Sequence, residues 1–160
     1  MPSLRLFLHF RHDWVETVPT EVMKRGKGWV DLKLQAIPFL YATPTFGDVV
    51  RAKKDPEFEG NWAWESPFRG GARKKDLVAA GGYYAVIVRL CRKAKKRAPK
   101  DPLWFPNGTG IYTSVATSWK DQAWGRIYFA VPKKMKVTEV MQTLQRRHPE
   151  FRWKLVHPKT

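Results

Sequence analysis

Two clusters of basic residues are the groups in this sequence with the clearest potential chemistry. The first consists of Arg69, Arg73, Lys74 and Lys75. The second is a basic run made of Arg92, Lys93, Lys95, Lys96, Arg97 and Lys100, and it contains no acidic residue. Lysine and arginine neutralise phosphates and release the counterions that surround a nucleic acid. The two clusters therefore predict contact with a polyanion.

Aromatic residues lie near the basic run and strengthen this prediction. Trp104 and Phe105 follow the run, and Arg126 and Tyr128 share one face of a predicted strand. Exposed aromatic rings stack on unpaired bases, at about 1–3 kcal/mol per base. The combination suits single-stranded or structured RNA better than a plain duplex. For the tryptophans taken alone, packing in the core is the favoured interpretation, because large aromatic side chains are mostly buried.

The overall charge of the chain points the same way. Thirty lysines and arginines stand against 14 acidic residues, which gives a net charge of +16 and a pI near 10.2. Such an excess destabilises the folded state through self-repulsion, and a polyanionic partner relieves it. Nucleic acid is the leading candidate partner. An acidic protein, an anionic membrane surface and a basic protein without any such partner are the alternatives.

Support for enzymatic chemistry is thin. His9, His12 and Asp13 form a local cluster that could supply a general acid or base for metal-independent RNA cleavage. The two histidines are three positions apart and would point to opposite faces of an extended strand. No glycine-rich phosphate loop, nucleophile elbow or zinc-ligand spacing is present, and the single cysteine, Cys91, excludes an internal disulfide. We expect no catalytic residues, no metal and no cofactor.

Local patterns predict the elements of both halves of the chain. Apolar residues alternate from Leu4 to Phe10, and two extended stretches either side of Lys24–Gly28 predict a hairpin. Tyr83–Leu90 is apolar on both faces, as expected of a strand in a covered sheet. An amphipathic helix is predicted by the spacing of Val137, Val140, Met141 and Leu144.

The second half reads as strand, basic segment, strand, strand, helix and strand. If Cys91–Ala98 is helical, this order is the βαββαβ of a ferredoxin-like unit. Alanines and basic residues permit a helix there, Pro99 limits its length, and the alternative is a loop. We predict an α+β protein: a small antiparallel β unit over residues 1–80, then a ferredoxin-like unit over residues 81–160. One compact domain containing both is the alternative.

One stretch resembles a known family. Ile37-Pro38-Phe39, followed by Gly47-Asp48-Val49-Val50 after a predicted hairpin, resembles an uncharacterised bacterial family of unknown function. The resemblance covers Trp14–Ala52, about a quarter of the chain, and implies no activity. The basic charge and a long insertion before Ile111 depart from the family's pattern. From the residues alone, Asp48 is expected to bond nearby backbone at a tight turn.

These observations predict a small, non-enzymatic, basic protein that binds nucleic acid, with RNA favoured, as part of a larger ribonucleoprotein. The alternative is an inhibitor or immunity-type protein that docks on an acidic protein surface, and the third possibility is the endoribonuclease. Leu4–Phe10 is too short and too polar for a signal peptide. No apolar run approaches the roughly 20 residues of a membrane span. We therefore expect a cytoplasmic location and no membrane partner.

Overall fold

The computed structural model divides the chain into two compact units, Met1–Tyr83 and Tyr84–Thr160. It describes residues 3–10, 14–39, 42–57, 59–65, 73–91, 104–106, 108–115 and 126–159. Over these ranges, no helix is both long enough and apolar enough to span a membrane.

The first unit is a closed barrel of five strands in chain order. The strands are β1 (Ser3–Phe10), β2 (Trp14–Gly26), β3 (Trp29–Leu34), β4 (Val49–Lys54) and β5 (Trp62–Glu65). Consecutive strands pair antiparallel. With an odd number of alternating strands, the last must run parallel to the first, and β5 pairs with β1 in this way. This parallel pair closes the barrel.

Apolar side chains fill the inside of the barrel. Alternate residues of each strand point inward, as the period of a β-strand requires. The buried set is Leu6, Leu8, Val18, Val22, Val30, Leu32, Leu34, Val50, Ala52 and Trp64. The intervening positions, which include Trp29, Asp31 and Arg51, therefore lie on the outside. The predicted alternation of the first strands is confirmed.

The predicted hairpin between β2 and β3 is also confirmed. Its loop is the dipeptide Lys27-Gly28, and Gly28 has a φ of 79° that only glycine adopts without strain. A bulge shifts the register between Val22 and Lys24. A bulge increases the local twist of a strand, which helps a small barrel to close.

Asp48 links the segment that follows β3 to the backbone of Gly81. Its buried carboxylate accepts hydrogen bonds from the backbone N–H of Thr45 at 2.8 Å and of Gly81 at 2.8 Å. The expected bond from Asp48 to nearby backbone is confirmed, and the bond to Gly81 adds a long-range partner. Gly81 also lies directly against the backbone of Gly47, where a Cβ would overlap the Gly47 carbonyl group.

The second unit packs a four-stranded sheet against one helix. Its elements are β6 (Tyr83–Cys91), β7 (Tyr112–Val115), β8 (Arg126–Pro132), α1 (Val137–Arg147) and β9 (Arg152–His157). The strand order is β7-β8-β6-β9. Val140 and Leu144 of α1 are fully buried among residues of β6 and β8. The predicted helix and its apolar stripe are confirmed.

The predicted fold class, α+β with a ferredoxin-like βαββαβ unit, is wrong. The described residues are mostly β-strand, with a closed five-stranded barrel and a single α-helix, α1. The other predicted helix, Cys91–Ala98, begins at a residue that is the last of strand β6, and its remaining residues, 92–98, lie outside the described residues. Local periodicity predicts strands but not their partners, so the parallel closure of β5 onto β1 could not be read from it.

Replacing Gly81 with alanine should lower the free energy of unfolding by about 2–3 kcal/mol, because the new methyl group overlaps backbone that cannot move aside. Gly28→Ala is the control: its φ is positive but its surroundings are open, so about 1 kcal/mol of backbone strain is expected. Chemical denaturation of both variants measures the difference. Equal losses would contradict the close approach of Gly81 to Gly47.

Candidate nucleic-acid interface

The sheet of the second unit carries a row of cations on the face opposite α1. Val86 and Val88 of β6 pack toward the helix, so Arg89 points to the other side. The same alternation places Arg126 of β8 and both Arg152 and Lys154 of β9 on that side. All four are exposed. We call Arg89, Arg126, Arg152 and Lys154 the basic sheet face.

Like charges stand directly opposite each other on this face. Arg89 pairs in register with Lys154, and Arg152 lies two residues along β9, opposite Cys91. Like charges in directly opposed positions destabilise a sheet. None of the described strand residues on this face is acidic. The described carboxylates of the unit are Glu139, which lies on α1, and Glu150, which lies 3.5 Å from the Nδ1 atom of His148.

The middle of the same face is apolar and buried. Ala85, Ile87, Tyr128 and Ala130 expose 5% of their surface or less. Tyr128 does share a face with Arg126, as its position two residues away predicts. The residue as a whole is only 4% exposed, so its ring offers no surface on which a base could stack.

Trp104 and Phe105 also belong to the core rather than to a ligand surface. Trp104 is 5% exposed, and its ring packs edge-on with the rings of His148 at 5.0 Å and Trp153 at 5.3 Å. Phe105 is 7% exposed and packs at 5.0 Å against Phe129. The core interpretation of the tryptophans is therefore confirmed for Trp104. Phe105, which was predicted only as a nucleic-acid contact, is buried as well, so the positions of the two rings give no support to stacking on bases.

The first basic cluster lies in the other unit. Arg73, Lys74 and Lys75 are exposed at and within a short 3-10 helix, Lys74–Asp76. Asp76 holds its start by accepting a 2.8 Å hydrogen bond from the Arg73 backbone N–H. Arg69 and the basic run from Arg92 to Lys100 lie outside the described residues. The run begins directly after Cys91, at the end of β6 nearest Arg89.

A second basic surface, which the sequence analysis missed, lies on the outside of the barrel. Arg51 donates two hydrogen bonds to Asp31, from Nε at 2.8 Å and from Nη2 at 3.0 Å. Its guanidinium carbon lies 3.9 Å from the centre of the Trp29 ring. The hydrogen bond to Asp31 raises the pKa of Arg51 above its ordinary value. We call Trp29, Asp31 and Arg51 the Arg51 stack.

Lysines surround this stack. Lys53 is in register with Trp29, Lys24 is in register with Asp31, and Lys33 is the next outward residue of β3. The usable signal in the sequence was that β3 and β4 place tryptophan, aspartate, arginine and lysine at their outward positions. Assigning contacts between them required the register of the two strands.

A histidine–aspartate pair also occurs in the barrel unit. The Nε2 atom of His9 lies 2.7 Å from Oδ2 of Asp55, whose side chain is fully buried. Oδ1 of Asp55 accepts a 2.7 Å bond from the backbone N–H of Glu57, which fixes the carboxylate. Such a pair can orient an imidazole for proton transfer. His12 and Asp13 lie outside the described residues, and within those residues no group of three metal-ligating side chains occurs.

Glu16 is a half-buried carboxyl on β2 of the barrel. It is in register with the inward residue Leu8, and both of its oxygens accept hydrogen bonds from the Phe39 backbone N–H, at 3.1 and 3.0 Å. Burial raises the pKa of Glu16 to about 7, against the smaller lowering effect of the bond from Phe39. The residue thus ties the segment after β3 to the barrel and titrates near neutral pH.

Comparison with known proteins gives no functional assignment. No family model matches the chain, and no curated protein matches it. One similar solved structure is a hypothetical protein from Neisseria gonorrhoeae, with 10% sequence identity, a TM-score of 0.49, and coverage of 96% of this chain and 94% of that one. The Ile-Pro-Phe and Gly-Asp-Val-Val pattern itself finds no matching model.

Glu16→Gln should change how the stability of the protein depends on pH. A carboxyl with a pKa of 4.5 when unfolded and about 7 when folded stabilises the fold fully below pH 4.5, and that contribution is lost as the pH rises through 7. Glutamine has no such loss and can still accept the bond from Phe39. Because the carboxyl is only partly buried, solvent screening reduces the effect, and the variant should gain about 1–2 kcal/mol relative to wild type between pH 5 and pH 8.

Thermal melts at several pH values measure this difference. Glu21→Gln, which removes the same charge from the same strand, is the matched control and should follow the wild-type pH dependence. If Glu16→Gln also follows the wild-type curve, the Glu16 carboxyl does not ionise in the way described.

Proposed function

We propose that this chain binds nucleic acid, with RNA or single strands favoured, through the basic sheet face. The observation that carries the proposal is the opposed pair Arg89–Lys154, continued by Arg152 and without a carboxylate among the described strand residues of that face. Within the described residues, the strands of this face supply no acidic partner for these charges. An external polyanion is the partner that relieves their mutual repulsion.

The spacing of the cations suits a phosphate backbone. Arg89 and Lys154 are separated by one interstrand distance, about 4.8 Å, and Arg152 lies about 6.8 Å further along β9. One polyanionic strand crossing β6 and β9 can therefore contact all three side chains. In the sequence, the basic run begins directly after Cys91, the last residue of β6.

A preference for unpaired bases has one support on this face. Tyr112 is in register with Ala130, which places it on the same side of the sheet as the cations, and it is 46% exposed. An exposed aromatic beside a basic groove is the combination that binds single strands. An unpaired base could stack on the exposed ring of Tyr112, whereas the rings of Trp104, Phe105 and Tyr128 are buried and cannot stack on one.

Reversing two charges of the face should flatten the salt dependence of RNA binding. The logarithm of the affinity should fall with the logarithm of the salt concentration by about 0.7–0.9 per neutralised phosphate. The double variant Arg89→Glu/Lys154→Glu should lose about 1.4–1.8 from that slope. Fluorescence anisotropy with a labelled 20-nucleotide RNA at several salt concentrations measures the slope.

The matched control is Lys133→Glu/Lys134→Glu, which makes the same charge change in the exposed turn between β8 and α1. Its slope should stay close to that of wild type, and circular dichroism checks that both variants fold. An unchanged slope for the Arg89/Lys154 variant would place the site elsewhere. Binding to poly-glutamate but not to RNA would favour the acidic-protein alternative.

A further inference from the structure

We infer that the Arg51 stack on the barrel is a second contact for nucleic acid, at which the guanidinium of Arg51 stacks on an unpaired base. This inference rests on the proposed function but concerns a different unit and different residues. It assigns single-stranded nucleic acid as the ligand class of a surface that the basic clusters in the sequence do not include.

The first step is the position of Trp29 on the outside of β3. Trp29 is in register with Gly26 of β2. The indole ring lies against Gly26 so closely that a Cβ there would overlap its Nε1, Cε2 and Cζ2 atoms. The absence of a side chain at Gly26 thus lets the ring lie across the neighbouring strand as a half-buried platform.

The second step is the fixed orientation of Arg51. Its guanidinium lies over the Trp29 ring at 3.9 Å and is bonded through two nitrogens to Asp31, its in-register partner on β3. The Asp31 side chain is 5% exposed, so its carboxylate is a fixed acceptor. A bidentate bond and a ring contact together hold the guanidinium plane in one orientation before any ligand arrives.

The third step concerns the part of the Arg51 guanidinium that is still free to contact a ligand. Its side chain is 49% exposed, and its Nη1 makes no hydrogen bond within the described residues. The planar, weakly hydrated guanidinium is a surface on which nucleic-acid bases stack. Asp31 occupies the Nε/Nη2 edge of the guanidinium, which leaves the Nη1/Nη2 edge and the exposed plane for a ligand. Because the Asp31 carboxylate already compensates the charge of Arg51, the exposed plane favours a flat ligand over an acidic peptide.

The fourth step is the division of roles with the neighbouring lysines. Asp31 neutralises most of the charge of Arg51, so the stack itself attracts phosphate weakly. Lys24, Lys33 and Lys53 lie around it on flexible side chains. These lysines supply the electrostatic attraction to the backbone, and Arg51 supplies the contact to a base. A lysine at position 51 would keep the positive charge but would lack the planar guanidinium group on which a base can stack.

The test compares Arg51→Lys with Arg5→Lys, a control at an exposed position of β1. Two probes are used: an unstructured 20-nucleotide oligouridine RNA, and heparin, which carries negative charge but no bases. Arg51→Lys should weaken RNA binding by about five- to tenfold, the lower end of a stacking contribution, and should change heparin binding less than twofold. Arg5→Lys should change neither affinity.

A measurement on the unaltered protein covers the case in which Arg51→Lys fails to fold. The Nε–H resonance of Arg51, which its bond to Asp31 protects, should shift when the RNA is added and stay in place when heparin is added. Three results would each overturn the inference. Arg51→Lys could leave the RNA affinity unchanged, or it could weaken the binding of RNA and of heparin equally. In the unaltered protein, the Arg51 Nε–H resonance could stay in place when RNA is added.

Failure of this inference can be told apart from failure of the proposed function. If RNA binding depends on Arg89 and Lys154 as expected but its affinity is unchanged in Arg51→Lys, only the stacking inference fails. If the wild-type protein binds no RNA at low salt, both fail.

Discussion

The parallel pairing of β5 with β1 is the constraint on which the first unit depends. It joins the ends of a five-stranded meander and leaves none of the barrel strands with an open edge. Closure assigns every strand position to the inside or the outside. Leu6, Val30 and Leu32 become core, and the polar residues between them become surface. The outward position of the Arg51 stack is a direct result.

Excess positive charge is the second constraint, and the two units meet it in different ways. On the barrel, the Arg51 charge is compensated by the buried carboxylate of Asp31. On the sheet of the second unit, Arg89 and Lys154 oppose each other without a carboxylate on the described strands of that face. The uncompensated pair is therefore the stronger indication of an external partner. The compensated arginine, fixed in orientation, is suited to shape recognition instead.

Local sequence patterns predicted those parts of the fold that depend on local chemistry. Gly28 in a two-residue loop, the stripe of Val140 and Leu144, and the apolar strand from Tyr83 follow from turn geometry and periodicity. The barrel could not be predicted this way, because β5 finds its parallel partner in a strand far back in the chain. The same limit produced the incorrect ferredoxin-like unit, since element order alone does not determine pairing.

The sequence predicted the positive charge of the candidate site, but it did not predict which aromatic residues are exposed there. Arg126 was expected on a strand face and is exposed there. Trp104 and Phe105 were considered as stacking residues because of their neighbours in the sequence, yet tertiary packing against Trp153 and Phe129 buries them. Tyr112 and Arg51 were missed because their importance depends on cross-strand register, which local pattern does not contain.

The most direct test of the account is whether the protein carries nucleic acid when it is purified at low salt. The ratio of absorbance at 260 nm to that at 280 nm should be high at first and fall to the value of protein alone after a high-salt wash. Ribonuclease treatment at low salt should lower the ratio as well, whereas deoxyribonuclease should leave it high. A ratio equal to that of protein alone from the start, together with no binding of added RNA at low salt, would contradict the account.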